Sequence, residues 1–269
     1  MLNEPPENKK FLTGIAALLS FAVLIYWGTG DLVRAVTAII AYSPCAYLLT
    51  GSTAAAGAEL SLARRSILVR TSNVLKTLGR AETIVFDCHA LCHTHGIETA
   101  FPRMVTTLRH MGMHPVLHMD GDAETAARIG AAAGISDLRR DADMVSAAEA
   151  CAAPVAFVHF HRCAAHGSSI RIALSGSTAT TDAVILGDDL HAIPVLVRMA
   201  RRTRAKIEQN EVFGRTLGFI GIGLAAAGIL TPVSAALWHI TTALILLLNA
   251  ASLRSVGERE KKFAFSKAL

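Results

Sequence analysis

Two stretches of this 269-residue chain carry residues whose types and spacing could do chemistry. The first is Ser43-Pro44-Cys45, in the middle of an apolar run. A proline inside a helix frees backbone carbonyls and bends it. Cys45 beside that break offers a soft sulfur to a metal at mid-membrane depth. The second is Thr83-Ile84-Val85-Phe86-Asp87, a β-branched and aromatic run that ends in a carboxylate. As a strand it puts Asp87 at its carboxyl end, where parallel sheets place their chemistry. Pro and Cys are ordinary packing residues in membrane helices, so the tripeptide draws its weight from its company.

The elements that must position these residues follow from composition. The chain is 52% hydrophobic and 17% charged. A typical soluble domain carries about 25% charged residues, and here the apolar excess falls in blocks. This predicts a membrane protein with a soluble insert. The five cysteines, at 45, 88, 92, 151 and 163, are odd in number and lie mostly in the polar part, which argues against a disulfide framework. The net charge of +5 comes from basic residues clustered beside apolar segments. They read as topology signals, not as a nucleic-acid surface.

In chain order, residues 1–10 form a polar tail, and residues 11–63 hold two spans, Phe11 to Gly28 and Leu32 to Leu60. Each is long enough for a bilayer core of ~30 Å at ~1.5 Å per residue. Thr50 to Ala58 is rich in small residues that let helices approach closely. Arg64, Arg65, Arg70, Lys76 and Arg80 follow, and with Lys9 and Lys10 they put the N-terminus and the insert in the cytoplasm. Residues 64–206 read as an α/β domain. Strands are expected at Glu82–Asp87, His114–Asp120, Pro154–Phe160, Arg171–Leu174 and Ala183–Leu186, with helices near 97–112, 123–134 and 143–151. A basic amphipathic helix from Ile193 leads back, and residues 207–254 hold two more spans, Val212 to Leu230 and Val233 to Leu253. Residues 255–269 form a C-terminal tail, kept inside by Arg254 and Lys261-Lys262. The expected fold is four transmembrane helices plus an inserted α/β domain, multi-pass in the inner (plasma) membrane.

This order of segments resembles the heavy-metal-transporting P-type ATPases (type IB). Ser43-Pro44-Cys45 is similar to their metal-binding Ser/Cys-Pro-Cys. The run into Asp87 resembles the approach to their phosphorylated aspartate. Met119-Asp120-Gly121-Asp122 resembles their Thr-Gly-Asp segment, and Thr181 to Leu186, Ile207 to Asn210 and Asn249-Ala250 resemble later stretches. The resemblance implies that the insert is a HAD-like (Rossmannoid) phosphorylation-domain remnant. It also implies that Ser43, Cys45 and His239 form the membrane metal site, with Asp87 and Asp122 as the remains of the catalytic one.

The departures are chemical. The family's Asp-Lys-Thr-Gly-Thr stands here as Asp87-Cys88-His89-Ala90-Leu91, and its Gly-Asp-Gly-x-Asn-Asp loop aligns with His159 to Ala164. Where the family has His-Glu-Gly the chain has His239-Ile240-Thr241. Phosphoryl transfer rests on positioning and on neutralising charge with cations, and Mg²⁺ needs hard oxygen ligands. The sequence therefore predicts no use of Mg-ATP. The short interval from Asp87 to Asp120 leaves no room for a nucleotide-binding domain, and no actuator domain with Thr-Gly-Glu is expected before the first span.

The replacements are nitrogen and sulfur ligands: Cys88, Cys92 and His93 after one strand, His159, His161 and Cys163 at the end of another. Within the resembled fold these two loop regions lie side by side. They suit Zn, Cu, Ni or Co in place of Mg²⁺. Three functions follow. The first is a catalytically inactive ATPase-like protein that acts as a partner or regulatory subunit of a membrane complex. The second is a metal transporter or half-pump through Ser43, Cys45 and His239. The third is a membrane-anchored phosphatase using Asp87 and Asp122.

Overall fold

The computed structural model describes residues 7–42, 44–87, 97–119, 123–140, 154–159, 170–174, 181–187 and 189–253. The described residues divide into a helical unit, within 7–57 and 205–253, and an α/β unit, within 58–204.

The helical unit begins with α1 (Glu7–Thr29) and α2 (Leu32–Ala41). Between them Gly30 takes a positive φ of 68°, which a residue without Cβ adopts at little cost. The Asp31 carboxylate then caps α2, accepting from the Val33 N–H at 2.8 Å. Helix α3 (Pro44–Ala63) starts the unit's third segment, and α7 (Ala192–Ala226) and α8 (Pro232–Ala251) close it. Thr231 and Ser234 form a capping box at the start of α8, with Pro232 in the first turn. Helices α1 and α8 both pack on α2. Leu18, Ala38, Ile222 and Ala225 make the small core, flanked by Ile25 and Tyr42. Phe21 meets Phe219 edge-on at 6.1 Å.

Among the described residues two helices, Leu12–Thr29 and Pro232–Ala251, are long and apolar enough to cross a membrane, and Leu32–Ala41 is a shorter apolar helix. Leu12, Leu24, Trp27, Val233 and Leu248 all face outward. The expected second span, Leu32 to Leu60, is not one helix. It stops at Ala41, Tyr42 is extended at φ −93° and ψ 120°, and a new helix starts at Pro44. The cause is local. Proline fits the first position of a new helix, where its missing N–H is no loss.

One polar ladder ties α7 to α8. Lys206 Nζ donates to Asn249 Oδ1 at 2.9 Å, and Asn249 Nδ2 donates to Asn210 Oδ1 at 2.6 Å. Asn210 Nδ2 in turn donates to the Leu246 carbonyl at 3.4 Å. Asn210 is fully buried. Replacing it with leucine leaves the Asn249 amide and the Leu246 carbonyl short of partners. The expected cost is about 1–2 kcal/mol, at the upper end for hydrogen bonds between membrane helices, read as a fall in the detergent melting temperature.

Among the described residues the α/β unit carries seven strands: β1 (Ile67–Val69), β2 (Thr83–Asp87), β3 (His114–Met119), β4 (Leu138–Arg140), β5 (Val155–His159), β6 (Ile170–Leu174) and β7 (Ala183–Ile185). They stand in the order β1-β7-β6-β5-β2-β3-β4. Only the edge strand β1 is antiparallel, paired with β7. Helices α4 (Ser72–Leu78), α5 (Ile97–His110) and α6 (Ala123–Ala133) connect strands. Strand β2 reads apolar on both faces because both are covered: Ile84, Val85 and Phe86 are all buried. The expected strands appear within a residue or two of their bounds. The expected helix near 143–151 lies outside the described residues. Three short elements, β1, α4 and β4, were not foreseen. Arg201 of α7 donates to the Met111 and Ala81 carbonyls and to Met113 Sδ, and so binds α7 to two of the connections.

At the start of β3 a surface cluster joins three polar side chains. Arg139 donates twice to Asp137, at 2.9 Å each, and His114 Nε2 lies 3.1 Å from the same carboxylate. The Arg139 hydrogen bonds, and after them that of His114, hold the Asp137 carboxyl below its usual range. A depressed folded-state pKa gives stability that is present above the unfolded carboxylate pKa of ~3.9 and is lost as pH falls through the folded value. Asp137→Asn is therefore expected to lower stability at neutral pH by no more than about 1 kcal/mol. The difference from the parent should vanish in acid, as urea titrations across pH would show.

Candidate functional site

The carboxyl edge of the sheet is where the topology converges. From β2 the chain adds β3 and then β4 on one side, and from β5 it adds β6 and β7 on the other. The reversal lies between β2 and β5, the position where open α/β sheets bind ligands. Asp87 is the last residue of β2 and is half-buried there. In the β2–β3 register Asp87 stands opposite His118. In the β2–β5 register Phe86 stands opposite Val158, so His159 follows on the same edge. An aspartate is thus flanked along the edge by a histidine from each neighbouring strand.

His159, a candidate ligand at the end of the expected strand Pro154–Phe160, lies in the sheet. It is the last residue of β5 and is 2% exposed. The strand holds it because Val155, Ala156 and Val158 are buried just before it. His118 was not singled out from the sequence. Its signal was the parallel pairing itself: aligning 83–87 with 114–118 sets His118 beside Asp87. Asp122, Cys88, Cys92, His93, His161 and Cys163 lie outside the described residues. Among the described residues no three of His, Cys, Asp and Glu gather as a metal ion would need.

A carboxylate at this position is placed for attack on an electrophile or for holding a cation. The connection from β2 to β3 spans only residues 88–113, of which 97–110 form α5. That is the length of an ordinary crossover.

The second candidate site is the break between α2 and α3. Pro44 opens α3 and Cys45 follows in its first turn. Ser43 and the Cys45 side chain lie outside the described residues. His239, in the second turn of α8, is half-buried, and its Nδ1 lies 3.2 Å from the Ile40 carbonyl oxygen. The sequence set His239 together with Ser43-Pro44-Cys45, and the structure brings it to the last turn of the helix that precedes them.

Comparison with known proteins follows the same lines. No family model matches the chain. Over 171 residues it is 28% identical to a probable cadmium-transporting ATPase of Staphylococcus aureus, covering 58% of this chain and 24% of that protein. Over 80 residues it is 36% identical to a manganese-exporting P-type ATPase of Mycobacterium bovis, covering 30% of this chain and 11% of that protein. The crystal structure of a zinc-transporting PIB-type ATPase in its E2·Pi state superposes with a TM-score of 0.72 at 16% identity, covering 89% of this chain and 62% of that one. The chain spans about a quarter or less of the curated relatives it matches.

Proposed function

We propose that this chain, a homologue of the metal-transporting P-type ATPases, is a membrane protein that keeps their scaffold and acts by binding rather than by hydrolysing ATP. The observation that carries this reading is the connection from β2 to β3. Residues 88–113 hold one helix among the described residues and leave no space for an inserted nucleotide-binding domain. The residues after Asp87 point the same way: Cys88-His89-Ala90-Leu91 supply no lysine and no hydroxyl to a phosphoryl group. Each lost contributor of this kind costs about 10²-fold or more in rate.

In this reading the α/β unit is a HAD-like remnant whose carboxyl edge has become a binding surface. The helical unit sits in the membrane as four spans, with both termini and the α/β unit on the cytoplasmic side, as the basic residues beside each span support. Its partners are lipid and other membrane-protein subunits. The Cys and His residues of the two edge segments are its candidate transition-metal ligands. Cross-linking in native membranes is the test. Stoichiometric cross-links to another subunit are expected, and a chain that remains alone at every cross-linker length would contradict the partner role.

A second reading has its own observation. The broken helix at Pro44, with His239 bonded one turn before it, suits a cation path past Ser43, Cys45 and His239. Metal flux into vesicles that is abolished by Cys45→Ala would favour it over the first.

A further inference from the structure

We propose that His239 is the clamp of the helix break: its ring supplies to Ile40 the hydrogen bond that Pro44 cannot. In an unbroken α-helix the carbonyl of residue 40 accepts from the N–H of residue 44. Residue 44 is proline and has no N–H. Helix α2 ends at Ala41, and the Tyr42 N–H reaches back to Ala38 O at 3.2 Å. The Ile40 carbonyl therefore has no i+4 donor, as at every helix end. In the membrane location proposed above, on which this inference rests, such a carbonyl needs a partner from the protein, because water is not at hand. The His239 ring meets it, with Nδ1 at 3.2 Å from Ile40 O.

The geometry also fixes the state of the ring. A carbonyl oxygen only accepts, so Nδ1 carries the hydrogen, and in the neutral ring Nε2 is then the bare nitrogen. Histidine in water prefers the opposite arrangement, so the clamp leaves a recognisable mark. It also sets which atom is left for chemistry: a cation or a donor would meet His239 at Nε2. The clamp joins α8 to the end of α2, two helices that pack together, and so steadies the end of α2 ahead of the helix that opens at Pro44. None of this depends on whether metal passes through the protein.

Two measurements test it on the full chain in mild detergent. The first is nitrogen NMR of histidine-labelled protein, with the His239 ring identified as the signal absent from His239→Asn. A proton on Nδ1 is expected, and a ring protonated on Nε2 alone would overturn the proposal. The second is a stability cycle. His239→Leu should lower the folded-to-unfolded ratio about tenfold, the effect of stranding one buried carbonyl. His239→Asn, whose amide hydrogen sits near the place of Nδ1–H, should recover most of that loss. In a Pro44→Ala background, where residue 44 regains its N–H, His239→Leu should cost less than about twofold, because the clamp is then redundant. An equal loss in both backgrounds would show that the ring only packs. Should Pro44→Ala fail to fold, the NMR result decides alone.

Discussion

Phe86→Ala is expected to destabilise the α/β unit by about 3–5 kcal/mol, the range for deleting a buried aromatic side chain. Phe86 lies in β2, between β5 and β3, and is fully buried. Its ring meets Phe101 of α5 edge-on, with centroids 5.3 Å apart and planes at 89°. That pair adds about 0.5–1.5 kcal/mol beyond the area buried. The neighbours are fixed strands and a packed helix, so the site cannot collapse to fill the void. Amide exchange of residues 83–87 is the readout, with Phe86→Leu as the milder control. An alanine variant that exchanges like the parent would mean that β2 is not the centre of this core.

Gly79→Ala should also destabilise, by about 1–3 kcal/mol, although the usual expectation has the opposite sign. Gly79 caps α4 in a right-handed conformation, φ −63°. At such a position alanine normally stabilises by about 0.4–1 kcal/mol, because it restricts the unfolded chain. Here the added Cβ would lie 2.8 Å from the Ala200 carbonyl oxygen and 2.9 Å from Arg204 Cβ. The first is backbone of α7 and cannot rotate aside, so overpacking outweighs the entropy. Gly223 is also helical, but a methyl added there would meet nothing within 4 Å. It is the contrast: Gly223→Ala should be neutral or gain up to about 1 kcal/mol. Thermal melts of the two variants side by side separate crowding from propensity.

How far the sequence could be read depended on how each element is stabilised. Strands β2 and β5 were legible because they are buried on both faces and so appear as apolar runs. Strands β1 and β4 have three residues each and sit at the two edges of the sheet. No periodicity can develop over that length, and their place is set by pairing with β7 and β3. Pro44 marks a disturbance of the helix, but a bend and a full break look alike in sequence. What separates them is the extended Tyr42, two residues before the proline, a backbone state that composition does not show. The basic helix from Ile193 and the apolar run from Val212 looked like two elements because composition changes between them. They form one helix, since the backbone ladder runs on through the change of surroundings. At the site, Asp87 was marked by its own strand, whereas His118 became visible only through strand register, which is a long-range property.

The most direct test of the account is phosphorylation of Asp87. The purified protein would be given ATP labelled at the γ-phosphate, with Mg²⁺ and with Zn, Cd, Mn, Co, Ni or Cu ions in turn, and quenched in acid. The account predicts no acid-stable label above that of Asp87→Asn under any metal. Label that appears with the parent chain and is lost in Asp87→Asn would contradict it, and would mean that an aspartate at this sheet edge still carries out phosphoryl transfer without the residues that normally assist it.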